Sequence, residues 1–226
     1  MTQTAATLTA DERAIQVPAG RVTLDGDLSI PPHARAVVLF AHGSGSSRFS
    51  SRNRHVAALL RERGFATLLI DLLTPNEEAL DIHTGEYRFD IGLLAERLIG
   101  AAEWLAQEPA TGKLPLAIFG ASTGGGAALA AAAEIPVRVA AVVSRGGRPD
   151  LAGEALNRVQ APTLLIVGGN DEPVIELNRE ALAQLRATAR LEVVPGATHL
   201  FEEPGALDEV ARHAAAWIET YAARGT

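Results

Sequence analysis

Apolar residues fall in short continuous runs along this chain, and between the runs they recur at helical spacing. Ala36–Ala41, Ala66–Ile70, Leu114–Phe119, Val137–Ser144 and Thr163–Val167 are apolar at nearly every position and too short for helices. Such runs predict strands covered on both faces. Two further short strands are expected at 13–17 and 21–30, around a Pro18-Ala19-Gly20 turn, and one more at 190–194. Helical spacing places Val56, Leu59 and Leu60 on one face of 51–63, and Ile91, Leu94, Leu98, Ala101, Ala102 and Leu105 on one face of 90–107. Helices are also expected at 123–134, 173–188 and 205–222. The segment 72–89 carries no apolar period and reads as an irregular loop that could wall a pocket. Strands alternating with helices predict an α/β fold, a mostly parallel central sheet with helices on both faces. The opening residues are polar and aperiodic, so a tail over 1–12 and one domain over 13–226 are expected.

Composition narrows the chemistry. The chain has 226 residues, 47% of them hydrophobic and 21% charged, enough to bury a core without staples. Cysteine is absent, which removes disulfides, thiolate zinc sites, iron–sulfur clusters and cysteine nucleophiles. Lys113 is the single lysine beside 19 arginines, leaving little scope for Schiff-base chemistry. A formal charge of −7 opposes a phosphate backbone, so no nucleic-acid partner is expected. No apolar run reaches membrane length and no export signal is visible, so a cytoplasmic protein without a membrane partner is expected.

The most informative stretch is Phe119-Gly-Ala-Ser-Thr-Gly-Gly-Gly126, between an expected strand and an expected helix. Gly120-x-Ser122-x-Gly124 in that setting is a nucleophile elbow. The turn is so tight that its flanks need glycine, and it lifts the serine to a helix N-terminus whose free N–H groups can hold an oxyanion. Serine needs a base, and the base needs an acid to orient it. In the order expected of such a sheet, Asp171 follows one buried strand and His199 the next. Glu172, beside Asp171, and Asp150, after the preceding strand, are alternative acids. His33, His55, His83 and His213 lie in a turn, on helices or in the irregular loop, where surface or packing roles suffice.

The loop His42-Gly43-Ser44-Gly45-Ser46 follows an early central strand, where the second oxyanion donor is expected. The N–H of Thr123 would act with that of Ser44 or Gly43, and His42 would hold the loop through hydrogen bonds. Arg145 and Arg148 leave a strand at the same end, either to grip a substrate carboxylate or as solvated or paired side chains. Arg48, Arg52 and Arg54 are expected on the surface, and Trp104 and Trp217 in the core.

The set Gly43-Ser-Gly45, Gly120-Ala-Ser-Thr-Gly124, Asp171 and His199 resembles an α/β-hydrolase, and the short insert over 145–162, with no cap domain, is similar to the dienelactone hydrolase branch. The resemblance runs from about residue 20 to residue 222. It implies ester or lactone hydrolysis of a small-molecule substrate through an acyl-enzyme, with no cofactor and no metal. Dienelactone hydrolases proper carry cysteine where this chain has Ser122, so the resemblance implies a serine carboxylesterase. Three other readings stand beside it. Gly43-Ser-Gly45-Ser-Ser-Arg48 with Asp71 imitates a dinucleotide fingerprint whose third glycine is replaced by arginine. The same triad could serve an acyltransferase or perhydrolase, and the same fold could be a non-catalytic binding protein.

Overall fold

The computed structural model describes residues 11–223. Eight strands form one sheet in the order β1-β2-β4-β3-β5-β6-β7-β8. They are β1 (Asp11–Ala19), β2 (Val22–Ile30), β3 (Ala36–Ala41), β4 (Phe65–Ile70), β5 (Leu116–Ala121), β6 (Val139–Arg145), β7 (Thr163–Gly168) and β8 (Ala189–Val194). The β1–β2 and β2–β4 pairs are antiparallel, and every pair from β4 to β8 is parallel. This is the α/β-hydrolase sheet, without a cap domain among the described residues. The first strand begins at Asp11, within the stretch expected as tail, because its pairing with β2 runs out to Ile30. Residues 1–10 of that tail, and the last three of the domain, lie outside the described residues.

The helices are α1 (Ser51–Glu62), α2 (Pro75–Thr84), α3 (Ile91–Gln107), α4 (Thr123–Glu134), α5 (Glu172–Gln184) and α6 (Ala206–Tyr221), with a 3-10 stretch at Pro149–Arg158. Strand β3 shows how the sheet divides the core. Val37, Leu39 and Ala41 face α3 and α4, while Ala36, Val38 and Phe40 face α1 and α6. Both faces are buried, which explains runs that are apolar at every position.

The segment expected as an irregular loop contains α2. Thr74 accepts the Glu77 N–H while the Glu77 carboxylate accepts the Thr74 N–H, a reciprocal capping box. Pro75 follows at the first helical position, and Gly85 closes the helix in the left-handed region at φ 69°. Local chemistry at the two ends specifies this helix, because Asp81 is its one buried residue.

The sheet order reverses around β3, with β4 on one side and β5 on the other. Loops leaving the carboxyl ends of β3 and β5 therefore diverge and open a crevice, the usual place for a site in such a sheet.

Candidate active site

Ser122 sits at the end of β5 with φ 52° and ψ −121°, a conformation that costs non-glycine residues about 1–3 kcal/mol. Its surroundings hold it there. The Ser122 N–H donates to the Arg145 carbonyl at 3.2 Å, and the Ser122 carbonyl accepts from Gly125 and Arg148 N–H groups at 2.9 and 3.0 Å. A Cβ on Gly120 would lie 2.3 Å from the Gly124 carbonyl oxygen, and one on Gly124 would lie 2.4 Å from that of Ala41. Neither flank can carry a side chain, as the motif predicts.

Asp171 ends the turn after β7 and His199 lies in the loop after β8. Gly168 lets these two loops pack backbone on backbone, since a Cβ there would lie 2.4 Å from the Ala197 carbonyl oxygen. The His199 Nδ1 lies 2.6 Å from Asp171 Oδ2, which leaves Nε2 as the ring nitrogen free to exchange a proton. His199 and Ser122 line one cavity of about 260 Å³. The structure thus brings Ser122, Asp171 and His199 together. The alternative acids stand elsewhere: Glu172 is exposed at the start of α5, and Asp150 binds the Arg148 guanidinium through both oxygens at 2.9 and 2.7 Å.

Thr123 opens α4, so its N–H has no intrahelical acceptor. Gly43 comes close on the other side, where a Cβ would lie 3.0 Å from the Ser122 Cβ. Gly43 and Ser44 line the cavity that holds Ser122. His42 is buried and anchors this loop: its Nδ1 lies 2.9 Å from the Gly43 carbonyl oxygen and its Nε2 accepts the Leu72 N–H at 3.0 Å. Burial holds its pKa below the ordinary value, with Asp71 and Glu78 opposing, so the neutral ring is the form that fits. The far end of the loop is held as well. The Arg48 N–H donates to Asp71 Oδ1 at 2.7 Å and its guanidinium to Asp71 Oδ2, with Asp25 and Asp27 close by. Arg48 is therefore a clamp and not the solvated side chain expected. The dinucleotide reading loses its acid, because the Asp71 carboxylate is engaged by Arg48.

Arg145 and Arg148 part company. Arg148 is paired with Asp150 and stays outside the cavity, whereas Arg145 lines it and is only 6% exposed. The Arg145 Nη2 donates to Asn53 Oδ1 at 3.2 Å, its guanidinium lies over the Phe201 ring at 5.7 Å, and no carboxylate pairs with it among the described residues. Burial, then the nearby Arg52, lowers its pKa to about 10, which leaves it charged at neutral pH. Asn53, 2% exposed, is a site residue the sequence reading missed. A polar residue three positions before Val56, on the buried face of α1, was the available signal. Arg52, expected on the surface, also lines the cavity. Among the described residues no group of three or more acidic, histidine or cysteine side chains is placed to hold a metal ion, and no helix is long and apolar enough to cross a membrane.

A crystal structure of a dienelactone hydrolase from Anabaena variabilis is 60% identical in sequence. It superposes with a TM-score of 0.93, covering 95% of this chain and 99% of that one. Est1E from Butyrivibrio proteoclasticus shares the fold at 16% identity and a TM-score of 0.74, covering 92% of this chain and 98% of its own. Curated relatives from two Mycobacterium tuberculosis strains, provisionally named phosphoribosyl transferases, are 58% identical over 207 residues. The match takes in 92% of this chain and 46% of theirs, so the chain spans about half their length. The family model for dienelactone hydrolases matches residues 24–222, from β2 through the loops of Ser122, Asp171 and His199 to the end of α6. The chain belongs to the dienelactone hydrolase family.

Proposed function

We propose that this chain is a serine hydrolase that cleaves carboxylic ester or lactone bonds of small substrates through an acyl-enzyme. The observation that carries the reading is the 2.6 Å Asp171–His199 hydrogen bond opening on the cavity that holds the strained Ser122. In this reading His199 takes the Ser122 proton as Oγ attacks the carbonyl, and Asp171 stabilises the imidazolium. The N–H groups of Thr123 and Ser44, with Gly43 shaping the loop, receive the oxyanion. Collapse expels the alcohol with the proton from His199, and water then repeats the sequence to release the acid.

The phosphoribosyl transferase name belongs to proteins of which this chain matches less than half. A serine, histidine and aspartate so arranged serve acyl transfer and offer no role to a pyrophosphate leaving group, so acyl chemistry is the reading for this chain. Arg145 adds a substrate contact, its unpaired guanidinium binding a carboxylate or other anionic group on the substrate. Replacing Arg145 by Ala lowers kcat/KM for an anionic ester relative to its neutral counterpart by about 10- to 100-fold. Arg148→Ala leaves that ratio where it was, because Arg148 is committed to Asp150.

A fluorophosphonate probe tests the main reading. It labels Ser122 of the wild type and fails to label Ser122→Ala, with the adduct mapped by mass spectrometry. A folded wild type that resists the probe overturns the reading in favour of a binding protein built on the same fold.

A further inference from the structure

A second cavity, of about 270 Å³, lies on the other side of the loop Gly43–Ser46. Gly43, Ser44 and Ser46 line both cavities, so this loop is the partition between them. Thr123 lines the second cavity, whereas His199 lines only the first. We infer that the second cavity is the acyl subsite, and that it selects a compact acyl group without negative charge. The inference rests on the hydrolytic reading above.

The argument begins with the proton. His199 must reach the oxygen of the departing alcohol, and later the water that replaces it, so the leaving group occupies the cavity that His199 lines. The acyl chain stays bonded to Ser122 through both steps and must lie clear of that space. The second cavity lies across the oxyanion donors, lined by Gly43, Ser44 and Thr123, the residue after Ser122. Leu72, Leu73 and Leu94 supply an apolar lining, and Leu72 and Leu94 are fixed in the core. Helix α2 forms the outer wall, with Ile82 68% exposed at the rim.

Charge adds a second criterion. Three cations in this region are already taken: Arg48 by Asp71, Arg88 by Asp81 and Arg97 by Glu77. Glu78 also lines the cavity and has no ion pair among the described residues. Its field is felt as far as His42. A carboxylate on the acyl chain would meet it at close range, and a neutral chain would not. The volume lies below the range usual for drug-sized ligands, so a long chain overruns it.

Phenyl esters hold the leaving group constant while the acyl group varies. The set is phenyl acetate, phenyl butyrate, phenyl octanoate, phenyl hemisuccinate and the neutral methyl phenyl succinate. The wild type turns over acetate and butyrate with a kcat/KM about tenfold above octanoate, and the neutral succinate about tenfold above hemisuccinate. Glu78→Gln shrinks the succinate ratio, and Ile82→Trp lowers kcat/KM for butyrate more than for acetate, through KM. Both positions are exposed, so the variants fold. If both variants keep the wild-type ratios to within about twofold, the acyl group lies elsewhere and the inference falls. If the wild type cleaves none of the five esters, the hydrolytic reading falls and takes the subsite with it.

Discussion

Ser122 keeps its φ of 52° because three backbone hydrogen bonds and two glycines leave the chain no other path. That requirement is short-range, which is why Gly-x-Ser-x-Gly was legible in the sequence. Gly124→Ala puts a Cβ against two backbone oxygens, those of Ala41 and His42 at 2.4 and 2.5 Å, which no side-chain rotation relieves. The substitution costs about 1–3 kcal/mol in urea denaturation and slows fluorophosphonate labelling, because the displaced strand end carries Gly43. In the proposed mechanism the acid is equally specific. Asp171→Asn lowers kcat by about 10⁴-fold, whereas Glu172→Gln changes it less than about twofold. Arg145 and Arg148 could not be told apart by type or neighbourhood. What separates them is that Asp150 reaches one and Asn53, 92 residues away, reaches the other. A contact over that distance leaves no trace in local pattern.

Elements were readable where burial forces a period and obscure where it does not. Helix α3 lies against the sheet, and Leu94, Leu98, Ala101, Ala102 and Leu105 record that in their spacing. Helix α2 buries Asp81 alone and leaves Leu80 and Ile82 in solvent, so its apolar residues follow no face. Its signals were Thr74-Pro-Asn-Glu77 at one end and Gly85 at the other, capping chemistry that a search for hydrophobic stripes passes over. Inside, Asp81 accepts the N–H groups of Tyr87 and Arg88 at 2.7 and 3.0 Å and pairs with the Arg88 guanidinium, tying the helix to the turn that follows. With so little packing, the caps carry a large share of its stability. Thr74→Ala removes the acceptor for the Glu77 N–H and costs about 1 kcal/mol. Because α2 buries only Asp81, the loss is expected as faster amide hydrogen exchange confined to 75–84, with the core strands unchanged.

Across the whole molecule, the loop between β3 and α1 is joined at two points to the residues that directly follow β4. His42 Nε2 accepts the Leu72 N–H, and the Asp71 carboxylate holds Arg48. The mostly parallel sheet was implied by alternation, but its strand order and these cross-ties were not, since each joins residues that sequence spacing does not relate. The burial of His42 makes stability depend on pH in a stated direction. The buried ring has a lowered pKa, while in the unfolded chain it titrates near its ordinary value of 6.5. Between the two values the unfolded chain binds the extra proton, so stability rises with pH and levels off above about 6.5. A proton on Nε2 would also abolish the acceptor that holds Leu72. His213 is lowered too, by partial burial and Arg212, and contributes in the same direction. A variant therefore has to isolate His42. In urea denaturation at a series of pH values from 5 to 8, the slope approaches about 1.4 kcal/mol per pH unit for each proton linked. His42→Gln, which cannot titrate, is less stable at pH 7.5 and shows a shallower slope below 6.5, the residue of the slope belonging to His213. A His42→Gln profile parallel to wild type would place the proton linkage elsewhere in the molecule.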